Sequence, residues 1–338
     1  MVAALNQTWP VRAAVVQLLG YTLQLLLFRP AAGEFAELSP GAKQWCATAT
    51  AYQNQSMVWE ITHDVDAFHA AAGAYLAADP VRNTVLLTVA ATVRAQGPHA
   101  YEGDVPARFG WWRAADGVVT GAFAHTPPHR LLLGPMSDSI AWALLRDCRS
   151  SGPAVSGISG GAQTVRSVAE EWAATGGSWS VHREQRCYQL GQLAWAQPRP
   201  VGAARTAEAA DVPLVARWFA EFGEFIGEGG TDVRTRAEHR VAAGRLVLWE
   251  ADGAPVSMAG WTTIVAGQGR VAPVYTPPEL RGRGYAGAAT CAASEALRAA
   301  GAEHVLLFTD LANPTSNSLY QRLGYYPVED SLVVDVWR

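Results

Sequence analysis

Cysteine is scarce in this chain of 338 residues: Cys46, Cys148, Cys187 and Cys291 are the only four, widely spaced and without a CxxC pair. That argues against a disulfide framework and against a cysteine-built zinc site, and it fits a reduced, cytoplasmic setting. A basic excess is also missing, with 26 Lys and Arg against 30 Asp and Glu and a formal net charge of −4. Binding a phosphate backbone needs surplus cations, so nucleic acid is not an expected partner. Long apolar runs are absent too. The nearest is AAVVQLLGYTLQLLLF, Ala13 to Phe28, interrupted by Gln17, Thr22 and Gln24. It is shorter than the roughly 20 residues of a spanning helix. Only Arg12 supplies an n-region charge, and no convincing small-residue cleavage site follows. A membrane is therefore not an expected partner, and residues 1–56 are expected to form an extension outside the folded body, which would start at Met57.

What is present is apolar content for a large core: 49% of the residues are hydrophobic, and the length suits two domains. From VWEITHDVDAFHAAAGAYL onward, strand-like and helix-like runs alternate, with an internal echo. Gly110 to Met136 reads as two β-rich runs around a turn at Asp116-Gly117 and then a third strand; Arg245 to Glu279 repeats the plan around Asp252-Gly253. Each meander precedes a helix, a strand and a second helix. The polar, proline-bearing AQPRPVGAART, Ala196 to Thr206, is the natural joint. The expected class is α/β (α+β), in two copies at 57–198 and 199–338, each a mixed, mostly antiparallel sheet flanked by helices.

One stretch of the second copy carries chemistry. In YTPPELRGRGYAGAAT, the Pro277-Pro278 pair cannot donate to a sheet ladder, so the strand before it must stop pairing there. Arg281, Gly282, Arg283, Gly284, Tyr285 and Ala286 then lead into a helix of small residues. Unpaired N–H groups at a helix N-terminus, with two arginines beside them, suit a pyrophosphate. A Walker loop would need Gly-Lys-Ser/Thr, and a dinucleotide fingerprint would need GxGxxG after the first strand of a βαβ unit; neither fits.

The pattern Arg281-x-x-Gly284-x-Ala286 between a strand and a helix resembles the coenzyme A loop of the GNAT (Gcn5-related N-acetyltransferase) superfamily. A second element strengthens this: in that superfamily an Asn after a later strand is followed seven residues on by a Tyr and then by Gly-Phe or Gly-Tyr, and here stand Asn313, Tyr320 and Gly324-Tyr325. Together the two elements cover roughly Val201 to Arg338. The resemblance implies an N-acetyltransferase that moves an acetyl group from acetyl-CoA to the amine of a small molecule, by direct transfer and without a metal. It implies that backbone groups of Val274, Tyr275 and Thr276 pair with the pantetheine arm and that Tyr320 protonates the departing thiolate. Asn313 and Ser316 would contact the coenzyme or hold the helix that carries Tyr320. The base is left open among Glu221, Glu224 and Glu228, with Glu279 a weaker candidate; the same glutamates read equally well as a solvated helix face. Trp249 and Trp261 read as core packing. The net charge and these glutamates lean toward a cationic amine.

The first copy is expected to be degenerate. LGPMSDSIAWALL replaces the loop and puts Asp138 near the helix start, and registering Gly176 on Gly324 sets Trp172 opposite Tyr320 and Val165 opposite Asn313. That copy also contains Gly157-Ile158-Ser159-Gly160-Gly161, a literal GxSxG, which makes a serine hydrolase the rival enzyme. A non-catalytic acyl-CoA sensor or scaffold is the rival without chemistry. His125 and His129 in HTPPH read as exposed loop residues rather than metal ligands. A second copy of the chain, as a homodimer, is the one protein partner entertained.

Overall fold

Local signals set the elements. After strand β1 (Trp59–Thr62), the Asp64 carboxylate accepts hydrogen bonds from the N–H groups of Asp66 (2.8 Å) and Ala67 (3.2 Å) and starts helix α1 (Val65–Ala78), as a good N-cap does. Helix α2 (Thr84–Gln96), the meander β2 (Arg108–Arg113), β3 (Val119–His125) and β4 (Leu131–Leu133), helix α3 (Asp138–Ser151), β5 (Gly157–Gly161), α4 (Ala162–Ala174) and β6 (Ser178–Leu190) complete the first series. The second series begins at β7 (Ala203–Thr206) and repeats it as α5 (Val212–Phe225), α6 (Val233–Ala242), β8 (Leu246–Ala251), β9 (Ala254–Trp261), β10 (Gln268–Tyr275), α7 (Tyr285–Ala299), β11 (His304–Asp310), α8 (Pro314–Arg322) and β12 (Tyr325–Trp337). Between β8 and β9 the chain reverses on Asp252 (φ 52°) and Gly253 (φ 75°), the double left-handed conformation of a two-residue hairpin turn.

This computed structural model describes residues 59–101, 104–151, 155–227 and 232–338. The extension expected over residues 1–56 lies outside the described residues, as do Cys46 and Glu228. Met57–Arg338 hold together as one unit, and twelve described strands form a single sheet in the order β1-β2-β3-β4-β5-β12-β6-β11-β10-β9-β8-β7. Only β4–β5 and β10–β11 run parallel; the other neighbours are antiparallel. The mixed, mostly antiparallel sheet with flanking helices is the expected class. The element series repeats across the expected joint, yet the sheet passes through it unbroken. The last strand of each series crosses over: β12 pairs with β5, and β6 pairs with β11. These two strands then pair with each other from Leu190↔Tyr325 to Ser178↔Trp337.

Helices cover both faces. In β8, Val247, Trp249 and Ala251 pack toward α7, while Leu246 and Leu248 pack toward α5 and α6. In β3, Phe123 packs toward α3 and α4, while Ala122 and Ala124 pack toward α1 and α2. This alternation is the period of two that a sheet buried on both sides imposes. Each fully buried large side chain contributes about 1.5–3 kcal/mol. Trp249 is among them, its indole N–H satisfied by the Val201 carbonyl at 3.1 Å, and Trp261 is likewise core. His125 corrects one expectation. It ends β3 and is buried beside Arg108, and burial followed by that guanidinium holds its imidazole down near pKa 4. The meander continues through the histidine before the prolines turn the chain, so only His129 is exposed.

Candidate active site

The site grows from a parting of two strands. β10 and β11 pair in parallel only over Gln268–Arg270 and His304–Leu306. Beyond Arg270, β10 shifts register against β9 between Val271 and Val274 and departs from β11; a bulge bends its strand in this way. Pro277 ends the strand, and a single 3-10 turn, Pro278–Leu280, leads into the loop. Gly282 (φ 76°) and Gly284 (φ 82°) hold the left-handed conformations that let the loop close on itself before α7 begins. The N–H groups of Gly282 through Gly287 donate to no backbone carbonyl, leaving a row of donors at the positive end of a 15-residue helix. Small residues bring this helix close to its neighbours: a methyl group on Gly287 would lie 3.1 Å from the Leu319 side chain. The loop residues themselves are exposed.

The two loop arginines differ. The Arg281 Nε donates to the Thr276 carbonyl at 3.0 Å, and its guanidinium lies 5.0 Å from the centre of the Phe225 ring. Arg283 is exposed and makes only a long contact, 3.5 Å, with the Glu279 carbonyl. The Ser257 hydroxyl donates to the Tyr275 carbonyl at 3.0 Å and lies 2.8 Å from the Thr276 hydroxyl. Of the three backbone positions expected to meet the pantetheine arm, Tyr275 and Thr276 thus have their carbonyls engaged by side chains of the protein, and Val274 stands opposite Ala259 of β9. Ser257 was not legible as a site residue; a buried serine in an apolar strand was the available signal.

Beside the loop lies an open cleft of about 890 Å³ that gathers Glu221, Glu224, Tyr275, Glu279 and Arg281. Glu221 is half-exposed and stands 3.7 Å from Arg217 one helical turn back, while Glu224 is exposed. Burial, followed by the Glu221 carboxylate, pushes the Tyr275 phenol up to about 12. Tyr320 approaches the parting from the other face of the sheet. Its ring is buried in the cluster that contains Val271, Val305 and Leu307, with Val274 packed against it, and meets Tyr325 edge-on at 6.1 Å. Burial alone pushes the Tyr320 phenol up to about 12, so it is a neutral proton donor at physiological pH. The structure thus brings the glutamates, Tyr275 and Arg281 together in one cleft, with Tyr320 behind it rather than in its lining.

Asn313 caps α8: its Oδ1 accepts from the Ser316 N–H at 3.0 Å, with Pro314 in the first turn. Asn317, one turn on, was missed from sequence. Its amide donates to the Asp310 and Asn313 carbonyls (2.8 and 2.7 Å) and its Oδ1 accepts from the Tyr188 hydroxyl (2.9 Å). A strand of the first series therefore fixes the helix that carries Tyr320.

At the corresponding place in the first series, α3 starts at Asp138 without a left-handed glycine ahead of it. A partly open cavity of about 240 Å³ lies where β4 and β5 meet α2. Glu329, brought in on the exchanged strand β12, lies over Gly161, where an added methyl would be 3.2 Å from its carboxylate. Ser159 sits within β5 opposite Val333, its hydroxyl 3.4 Å from the Leu131 carbonyl. It therefore lies inside a strand rather than on a nucleophile elbow, and among the described residues its hydroxyl bonds to no histidine.

The sequence model of the acetyltransferase (GNAT) family matches residues 212–325, from the start of α5 to the start of β12. This part of the chain is a GNAT domain. The match takes in the parting strands, the glycine loop and Tyr320 together. A Drosophila protein solved by X-ray crystallography shares the fold, with a TM-score of 0.58 at 13% identity over 83% of this chain and 99% of that one. Also similar are a GCN5-related N-acetyltransferase from Sphaerobacter thermophilus (TM-score 0.48, 17% identity, 77% of this chain and 92% of that one) and a GNAT-family acetyltransferase from Colwellia psychrerythraea (TM-score 0.48, 10% identity, 69% and 86%). No curated protein matches the chain. Among the described residues the GNAT fold here has no helix long and apolar enough to cross a membrane, and no cluster of three potential metal ligands.

Proposed function

We propose that the protein is an acetyl-CoA-dependent N-acetyltransferase acting on the amine of a small molecule in a ternary complex. The observation that carries this reading is the parting of β10 from β11, which runs directly into a loop whose amides lack backbone partners. An unpaired row of donors at a helix start fits the coenzyme's pyrophosphate. The thioester acyl group is the reactive part that the coenzyme supplies. The chain's own residues hold and orient it, chiefly through the amides from Gly282 to Ala286 and the open side of β10 at Val274. Asn313 and Ser316 serve the site by starting the helix that carries Tyr320. Glu221 or Glu224, directly or through water, takes a proton from the attacking amine. As the nitrogen–carbon bond forms and the carbon–sulfur bond breaks, Tyr320 gives its proton to the departing sulfur. A phenol kept neutral by burial suits that role, because a free thiol near pKa 8.5 is more acidic than the phenol and needs only a donor within reach.

In this reading the segment 57–198 contributes structure rather than a second coenzyme site, since Asp138 begins the helix where phosphate would lie. Three buried, unpaired cysteines, Cys148, Cys187 and Cys291, support a cytoplasmic setting. A thiol-release assay of free CoA over an amine panel, run beside Tyr320→Phe, tests the reading. Turnover that falls at least a hundredfold in the variant supports it. Tight acetyl-CoA binding without turnover on any amine favours a sensor instead, and failure to bind acetyl-CoA rejects the reading altogether.

A further inference from the structure

The helix layer has a gap over β10. Val271 belongs to the cluster under α7 and α8, so Arg270 lies on the opposite face, and Tyr275, beyond the bulge, packs on that same opposite face against α5. Arg270 reaches α2, donating through Nη1 to the Thr84 carbonyl (2.7 Å), the Thr84 hydroxyl (2.9 Å) and the Thr88 hydroxyl (3.0 Å). Between these covered positions Ala272 is exposed, although it sits in an inner strand of the sheet. It is also the second residue past the last pairing of β10 with β11, at the parting itself.

Guanidinium groups surround this gap. Arg240, from α6, donates to the Trp261 carbonyl and, at 3.3 Å, to the Ala272 carbonyl. Arg245 donates to the Thr263 hydroxyl and has its Nε buried without an acceptor. Arg236 stands one turn before Arg240 on α6. Among the described residues none of these four arginines has a carboxylate within 4.0 Å, whereas Arg186, Arg205, Arg217 and Arg234 each do. Burial, then Arg245, Arg236 and Arg270, pulls Arg240 down to about 10, and burial pulls Arg270 to the same value. Both remain charged at neutral pH. Crowded cations without a counter-charge are unfavourable in a partly buried site, and an anion seated among them relieves both the repulsion and the unmet hydrogen-bond donors.

These arginines do not serve the phosphate loop. Arg270 precedes Tyr275 by five residues, about 16 Å along an extended strand, and the loop lies farther still in the same direction. They flank the parting, where an attacking amine must arrive if the acetyltransferase reading above holds.

We infer that the acceptor is an amine that also carries a carboxylate, of the amino-acid type, with its carboxylate held between Arg240 and Arg270 over Ala272. The inference rests on the proposed acetyl transfer for the amine and, for the acid, on four arginines that have hydrogen-bond or ring contacts but no carboxylate partner among the described residues. It reverses the lean toward a cationic amine that net charge and the α5 glutamates suggest, because the local field at the parting is positive.

The test uses the full chain with acetyl-CoA and matched acceptors: the common α-amino acids, the amide of each, phosphoethanolamine and spermidine. The expected result is that the best amino acid exceeds its amide at least tenfold in kcat/KM. In Arg240→Gln that ratio falls toward one through a raised KM for the acid, and Arg240→Lys recovers part of it. Arg270→Gln is expected to act likewise, and retained coenzyme binding reports that the buried site still folds. An amide, phosphoethanolamine or spermidine used as well as every amino acid overturns the inference, as does an equal loss for acid and amide in Arg240→Gln. Calorimetric titration of N-acetyl amino acids and their amides, with and without CoA, decides the case in which no amine is acetylated. Tighter binding of the acids there upholds the anion site and rejects the transferase reading, whereas equal or no binding rejects the inference.

Discussion

Gly284 offers a measurement in which stability and coenzyme affinity move in opposite directions. It is the N-cap of α7 with φ 82°, and a methyl added there would meet only Pro200, at 3.7 Å. That contact is an ordinary one, so Gly284→Ala costs only backbone strain, about 1–2 kcal/mol for an L-residue in the left-handed region. Gly284→Asp carries the same strain but adds a carboxylate at the helix N-terminus, which returns about 0.3–1 kcal/mol through the helix dipole. The Asp variant is thus expected to be the more stable of the two without ligand. With the coenzyme the order reverses. A carboxylate about 5 Å from a pyrophosphate, in surroundings between water and a protein surface, costs about 2 kcal/mol, roughly thirtyfold in Kd. The assay pairs urea unfolding of the free protein with calorimetric titration of acetyl-CoA, for both variants, in low salt. Equal acetyl-CoA affinities for Gly284→Ala and Gly284→Asp would show that the phosphates do not sit at this helix start.

Three further outcomes follow from the packing. Tyr320→Phe should lower kcat by a hundredfold or more while leaving the acetyl-CoA Kd and the unfolding midpoint nearly unchanged, since among the described residues the Tyr320 hydroxyl makes no hydrogen bond that the variant would lose; a loss confined to KM would refute the general-acid role. Burial holds Tyr75, Tyr275 and Tyr320 up near 12, so the folded state keeps protons that the unfolded chain releases near 10. Stability from these groups is complete below pH 10 and is lost as pH rises toward 12, which pH-jump unfolding should register as net proton release. The paired glycines should part company: Gly176→Ala (φ 87°, open space) costs about 1–2 kcal/mol of strain, whereas in Gly324→Ala the new methyl would lie 1.9 Å from the Gln192 carbonyl and should cost several kcal/mol more. Denaturant midpoints of the two variants compare them directly.

Much of this architecture is readable from residues close in sequence, and what is not depends on partners far along the chain. The Pro277-Pro278 stop, the glycines at 282 and 284, the Asn313 cap and the Asp252-Gly253 turn are local devices, each fixed by the conformation of a few residues. The exchange of β6 and β12 leaves no such trace. Alternating strands satisfy their ladders equally well beside either neighbour, and only the register from Leu190↔Tyr325 to Ser178↔Trp337 tells which was taken. His125 looked exposed because a Pro-Pro loop follows it; the buried strand end is a tertiary fact. Arg240 and Arg270 escaped notice for a related reason. An arginine is ordinary on a helix, and Arg270 stood out only by occupying an inner strand at the same parity as Gln268 and Ala272, away from Val271. That parity was available in GQGRVAPVY, and a polar side chain on a face that helices cover signals a partner or a ligand.

The crossing of the last strands also bears on how the chain is made. β6 is synthesised well before the segments beside which it finally lies: Gln185 pairs with Asp310 and Leu190 with Tyr325. At ribosomal rates of about 5–20 residues per second, β5 and β6 wait on the order of ten seconds with open edges before β11 and β12 emerge. Nascent chains on one polysome would present these edges to one another throughout that interval, and the same pairings could then close between neighbouring copies instead of within one. The charged residues along β6, Arg183, Glu184 and Arg186, fall on that waiting edge, where charge opposes premature pairing.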